Sequence, residues 1–351
     1  EPIKYILNTS AANAFHAMAV TINADTAIKL VVIQHEFGFY KSQEKEFSEF
    51  LQLLEKPFVL VFHTVLPSPD EPLLFYVQEI SMLAASVIVM TKTSKKILIS
   101  DYLLPVKRVT VIPHGTHLVP HEDVETLKLK YKLAGRKVLS TFGLLSSGKC
   151  IETSISALRL IVKRYPEVLF LVIGKTHPNV IKEEGEHYRD MLIAKIETLH
   201  LQHNVKFINQ YLPLDVLLEY LQLTDIYLFT SKDRNQAVSG TFSYALSCGC
   251  PIISTPFPHA KEVLQNETGI IVDFENPKQL SAAVNSLLED HQLRKNISSN
   301  GLHRMASTAW ENAAITHALL FEKTGGEQIS LQYKLPAINI NHLKKLTTAF
   351  G

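Results

Sequence analysis

The stretch Asp225–Val263, DIYLFTSKDRNQAVSGTFSYALSCGCPIISTPFPHAKEV, decides the fold. It reads as strand, loop, helix, strand, loop, helix. Residues 226–229 form a short β-rich apolar run, and 251–254 form another. Between them Phe242, Ala245, Leu246 and Gly249 recur at i, i+3, i+4 and i+7, one face of a helix. Ser239 stands where an N-cap belongs, with Gly240 and Thr241 in the first turn. Strands joined through a helix form a right-handed crossover and a parallel sheet. In such sheets ligands bind beyond the carboxyl ends of the strands. The loop 230–239 lies there and feeds a helix N-terminus, whose N–H groups favour an anion such as phosphate.

Working outward, the same βα unit recurs along the chain. Strands are predicted at 30–34, 58–62, 86–90 and 109–112, then at 138–142, 169–173 and 205–208, with helices between them. Residues 117–135 are polar, so the division is expected there: a partial first domain at 1–125, a second at 126–325 and a tail or linker at 326–351. The fold class is α/β, two facing doubly wound parallel sheets, the first of them incomplete. In the first half two strands deliver a histidine at their carboxyl ends, His35 and His63, and His114 follows a third. His114 reads as a loop histidine with a structural hydrogen bond. In the second half the loop Gly143-Leu144-Leu145-Ser146-Ser147-Gly148-Lys149 follows a strand and opens a helix. Its glycines let a ligand approach the backbone, and Lys149 brings a positive charge to the helix start. The spacing imitates a nucleotide-triphosphatase loop, but Cys150 stands where magnesium ligation needs Ser or Thr.

Composition narrows the function classes. The chain has 351 residues, 46% hydrophobic and 20% charged, which is globular. A net charge of +1 gives no argument for nucleic-acid binding. Three cysteines, Cys150, Cys248 and Cys250, make no disulfide framework and no metal set, which points to a reducing, cytoplasmic setting. No apolar run reaches membrane-spanning length.

The order of motifs resembles the GT-B nucleotide-sugar glycosyltransferases of family 4 (group 1) over about residues 30–325. Gly143 and Lys149 resemble that family's diphosphate loop. Asp225–Ser231 and Ala245–Ser254 resemble its Asp-hydrophobic-Ser and Ala-x-x-x-Gly-x-Pro segments, and Val111–Gly115 resembles its Ile-Pro-Asn-Gly hinge. Gln34–Gly38, Phe62–Pro67 and Ser239–Ala245 are similar to a bacterial subgroup with Gln-His-Glu-Phe-Gly, Leu-His-Thr-Val-Leu-Pro and Ser-Gly-Thr-x-x-Tyr-Ala. The sequence departs from the family at three places: Gln236 and Tyr244 replace the glutamates of E-x7-E, and Leu144 replaces an arginine. Against the family pattern both ends look cut, with the usual first strand missing and a helical domain implied beyond residue 351.

The resemblance implies a retaining transfer of a hexosyl group from a nucleoside diphosphate sugar, such as a GDP- or UDP-hexose, to a carbohydrate acceptor. It implies no further cofactor and no metal. His63 would hold the donor sugar and act with Gln236. Gly143, Lys149, Ser239, Gly240 and Thr241 would hold the diphosphate, with Arg234 as a lesser contributor. Gly174, Tyr211 and Tyr244 would hold the nucleoside, and His35 and Glu36 would line the acceptor side. An epimerase or sugar phosphorylase on the same fold, or a non-catalytic nucleotide- or glycan-binding module, are the alternatives, since fold does not fix function.

Overall fold

The computed structural model describes residues 3–40, 42–265 and 267–325. The tail expected at 326–351 lies outside the described residues. The first half runs α1 (Ala14–Ala24), β1 (Val31–His35), α2 (Glu44–Leu53), β2 (Phe58–Phe62), α3 (Glu71–Leu83), β3 (Ser86–Val89), α4 (Lys92–Ser100) and β4 (Val109–Val111). Its sheet has the order β1-β2-β3-β4, all parallel. Every residue of β2 and β3 is buried, which is why both read as unbroken apolar runs.

The second half begins with α5 (Val124–Lys130), β5 (Lys137–Phe142), α6 (Ile151–Ile161), β6 (Val168–Ile173), α7 (Pro178–Glu184), α8 (His187–Thr198) and β7 (Val205–Ile208). It continues with α9 (Leu214–Gln222), β8 (Ile226–Phe229), α10 (Gly240–Ser247), β9 (Ile252–Ser254), α11 (Pro258–Val263) and β10 (Ile270–Ile271). Three helices follow: α12 (Pro277–Glu289), α13 (His291–Ala306) and α14 (Trp310–Gly325). The sheet order is β10-β9-β8-β5-β6-β7, again parallel. The strand order reverses between β5 and β8, so the crevice of this sheet opens between the loops 143–149 and 230–239. The two parallel sheets are those of the GT-B architecture.

Local chemistry sets the boundaries. The Ser239 hydroxyl accepts from the Phe242 N–H and starts α10, and Gly249, at φ +69°, ends it. Asp70 and Thr91 cap α3 and α4 in the same manner. α7 was not expected. Pro178 opens it, and the His177 ring nitrogen accepts from the Asn179 N–H.

The last helix departs from the expected division. α14 follows the second half in sequence, yet Ala313, Leu320 and Phe321 pack on Val59, Val61, Ile88 and Ile112 of the first sheet. Val59, Val61, Ile88 and Ile112 form an apolar patch on that sheet face that needs a cover, and α14 supplies it. The halves are also pinned by polar contacts. The Glu262 carboxylate, on α11, accepts from the Lys92 N–H at 3.0 Å and from the Thr93 N–H, closing the N-terminus of α4. Backbone bonds from Thr116 to Thr308 and from Trp310 to Thr116, both 2.9 Å, zip the connecting strand to the start of α14.

Candidate functional site

In the first half, strand alternation decides which histidine reaches the cleft. β1 and β2 pair in parallel with His35 opposite Phe62, so His63 lies one position beyond His35 in register. Successive side chains point to opposite faces. His35 is therefore turned inward and fully buried among Phe37, Tyr40, Phe47, Phe62 and Tyr76. Burial, with a smaller contribution from His63, pushes its pKa down to about 4, so the ring is neutral. His35 is thus a core residue, and its expected place on the acceptor side is corrected.

Glu36, the next residue, points the other way into the cleft. Its carboxylate accepts from the Phe37 N–H at 3.1 Å and from the Thr64 hydroxyl at 2.8 Å. His63 lines the same cleft, its Nε2 held 2.7 Å from Gln34 Oε1. His114 lies there too, although the sequence had suggested only a structural role.

From the second half come Ser146, Gly148, Lys149, Ser231, Asp233, Gln236, Val238 and Gly240, and together the two walls enclose about 460 Å³. Gln236 accepts from the Ser231 hydroxyl at 3.2 Å, which fixes its amide at the edge. A second hollow of about 360 Å³ lies wholly in the second half. It is walled by Gly143, Leu144, Gly174, Tyr211, Leu214, Tyr244 and neighbours, so the three residues expected at the nucleoside stand together. Tyr244 reaches it from α10, with its ring 4.7 Å from that of His117 and edge-on to Phe142 at 6.0 Å.

The loop after β5 joins the two hollows. Gly143 sits at φ +127°, and Gly174 at φ +131°. A Cβ on Gly174 would lie 2.1 Å from the Gly143 carbonyl oxygen, so this backbone approach admits no side chain. A Cβ on Gly143 would meet Thr241 Cγ2 at 3.1 Å and Lys149 Nζ at 3.2 Å. The lysine ammonium therefore reaches Gly143, beside the first turn of α10. It also lies 5.6 Å from the centre of the Phe229 ring. Burial lowers its pKa, and no carboxylate pairs with it among the described residues.

The two helix starts near this loop differ from expectation. At α6 the Ile151 N–H donates to the Tyr188 hydroxyl at 2.9 Å, and that hydroxyl donates to Glu152. The Tyr188 hydroxyl thus occupies the first N–H of this helix. At α10 the Ser239 N–H donates to buried His259 Nδ1 at 3.4 Å, which removes it from the expected diphosphate contacts. The N–H groups of Gly240 and Thr241 make no hydrogen bond among the described residues. Arg234 is also corrected. It is exposed, lines neither hollow, and lies over the Phe274 ring at 4.4 Å.

The family model for glycosyl transferases of group 1 matches residues 123–304. Spore coat protein SA of Bacillus subtilis is 26% identical over 204 residues, covering 57% of this chain and 52% of that protein. The D-inositol 3-phosphate glycosyltransferase of Corynebacterium diphtheriae is 26% identical over 181 residues, covering 51% and 40%. The chain spans about half the length of the curated relatives it matches. Among solved structures, Anabaena HepE in complex with UDP and glucose superposes with a TM-score of 0.72 at 19% identity, covering 90% of this chain and 83% of that one. Sucrose-phosphate synthase from Thermosynechococcus elongatus gives 0.73 at 19% identity, covering 92% and 81%.

Proposed function

The chain belongs to the glycosyl transferases of group 1, and from that premise we propose that it transfers a hexosyl group, with retention, from a nucleoside diphosphate sugar to a carbohydrate acceptor. One observation carries the reading. The Gly143–Lys149 loop bridges an apolar hollow of about 360 Å³ and a polar cleft of about 460 Å³, and between them lies an ammonium that pairs with no carboxylate among the described residues. A diphosphate is the linker that such a junction fits. It would supply a counter-charge for half-buried Lys149, which has none among the described residues, and accept from the Gly240 and Thr241 N–H groups.

In the proposed reaction the bond between C1 of the sugar and the β-phosphate oxygen breaks, and its electron pair stays with the diphosphate. A bond from the acceptor oxygen to C1 forms on the same face, and the acceptor's proton passes to the released diphosphate. Negative charge grows on the leaving group, so fixed donors there lower the barrier. Lys149 and the start of α10 fill that role. His63 and Gln236 hold the sugar, and Glu36 and Thr64 form the acceptor rim. That the Anabaena protein holds UDP and glucose makes uridine nucleotides the first probes.

The test is thermal unfolding against a panel of UDP, GDP and ADP, then turnover of the matching nucleotide sugar. A ligand of the folded state raises the melting temperature. At least one diphosphate is expected to do so, and a panel with no shift would overturn the reading. Charge on the leaving group is carried here by an ammonium and amides, and no group of three or more metal-ligating side chains occurs among the described residues. Turnover is accordingly expected to survive a chelator. Loss in chelator restored by Mg²⁺ or Mn²⁺ would contradict that.

A further inference from the structure

His114 is held more firmly than a loop residue needs to be. Its Nδ1 lies 2.8 Å from the Gly115 carbonyl oxygen. A carbonyl can only accept, so Nδ1 carries the proton, and the neutral ring presents a lone pair at Nε2. Gly115 in turn lies flat against Trp310, since a Cβ there would fall 2.1 Å from Trp310 Cδ2. The Trp310 ring also packs beside the imidazole, with centroids 5.4 Å apart. The backbone bonds joining Thr116 to Thr308 and Trp310 fix the whole turn.

So anchored, the ring faces the cleft, and Nε2 lies 3.5 Å from the place a Cβ on Gly240 would occupy. We propose that His114 Nε2 accepts a hydrogen bond from a hydroxyl of the transferred sugar and so helps to select the donor. This rests on the nucleotide-sugar reading above. Gly240 opens the helix that would hold the β-phosphate, and the sugar is bonded to that phosphate. A hydroxyl of the donor sugar, tethered to that phosphate, would lie within reach of both. The charged groups around the ring suit an acceptor. Burial opposes its protonation most, with smaller contributions from His63 and His117, against the Gly115 carbonyl, which favours it. His259 lies behind α10 with its own pKa pushed down to about 3 by burial. Glu36, Lys149 and Asp233 form the far walls of the cleft.

The test compares matched pairs by calorimetry: UDP with UDP-glucose, and GDP with GDP-mannose, on the wild type, His114→Phe and His114→Asn. His114→Phe keeps the packing on Trp310 and removes the lone pair, whereas His114→Asn restores an acceptor oxygen. The expected result is that His114→Phe weakens the nucleotide sugar roughly three- to tenfold, the worth of one hydrogen bond. The matching diphosphate should change by less than about twofold, and His114→Asn should recover most of the loss. Equal weakening of both ligands, or no weakening of the nucleotide sugar, would overturn the proposal. Slowed transfer with unchanged nucleotide-sugar affinity would move the contact to the acceptor and overturn it as well. A wild type that binds none of UDP, GDP and ADP would remove the nucleotide-sugar reading itself, and this proposal with it.

Discussion

The two walls of the cleft are made of different material. The first half offers side chains at strand ends: Glu36, His63, Thr64 and His114. The second half adds side chains too, Ser146, Ser231, Asp233 and Gln236, but its distinctive part is backbone and a cation: Gly143 and Gly174 at positive φ beside the apolar hollow, the open amides of α10, and Lys149. Imidazoles and carboxylates suit hydroxyl groups, whereas amides at a helix start and an ammonium suit phosphate. The difference teaches where each half should tolerate change. A backbone-built wall fails as a unit when a side chain is forced into it, whereas a side-chain wall loses one contact at a time.

The largest effect is expected at Gly174. An added methyl meets the Gly143 carbonyl at a φ of +131°. Gly174→Ala should therefore cost roughly 3 kcal/mol or more of folding stability, measured by urea unfolding, and should abolish nucleotide binding. His63→Ala, in the other wall, should leave the unfolding midpoint nearly unchanged. Equal destabilisation by the two substitutions would erase the contrast.

A smaller effect concerns acid. His35 and His259 are buried neutral, with pKa values pushed down to about 4 and about 3. The unfolded chain takes up their protons below its own pKa of about 6.5, and the folded chain does not. Stability is thus full above that pH and falls as pH drops from about 6.5 towards 4. At pH 5 each histidine should cost about 2 kcal/mol relative to pH 7. His35→Phe should remove roughly half of this acid loss, read from unfolding midpoints at the two pH values. An unchanged pH dependence would mean that His35 is not buried as described.

The smallest expected effect is at Arg234, whose guanidinium is engaged with Phe274. Arg234→Ala should change diphosphate affinity by less than about twofold. A tenfold loss would show that the loop 230–239 reorganises over the ligand.

Much of this was legible in the sequence, for physical reasons that differ by element. The strands were readable because parallel strands buried on both faces are continuous apolar runs, and β2, β7 and β8 carry the expected limits. The start of α10 was readable because a capping hydroxyl is a local device. Gly174, Tyr211 and Tyr244 were named from the family resemblance alone, since they meet only in the folded chain and no local pattern links them. The face of His35 was hidden because β1 and β2 differ by one residue in register, and the alternation of β1, with Ile33 and His35 inward and Val32 and Gln34 outward, is too short in five residues to be read from the sequence. The Tyr188 contact at the start of α6 was hidden because the two segments meet only in the folded chain. The role of His114 depends on Trp310, nearly two hundred residues away, and no local pattern links them. The placement of α14 on the first sheet was equally non-local.

In the proposed function a diphosphate crosses between the two hollows at Lys149. The most direct test titrates the wild type and Lys149→Ala with UDP and with uridine. A charge-assisted hydrogen bond to phosphate contributes roughly 1.5–3 kcal/mol. Lys149→Ala should therefore weaken UDP by about ten- to a hundredfold and leave uridine binding unchanged. Normal UDP binding by Lys149→Ala, or equal losses for UDP and uridine, would contradict the account.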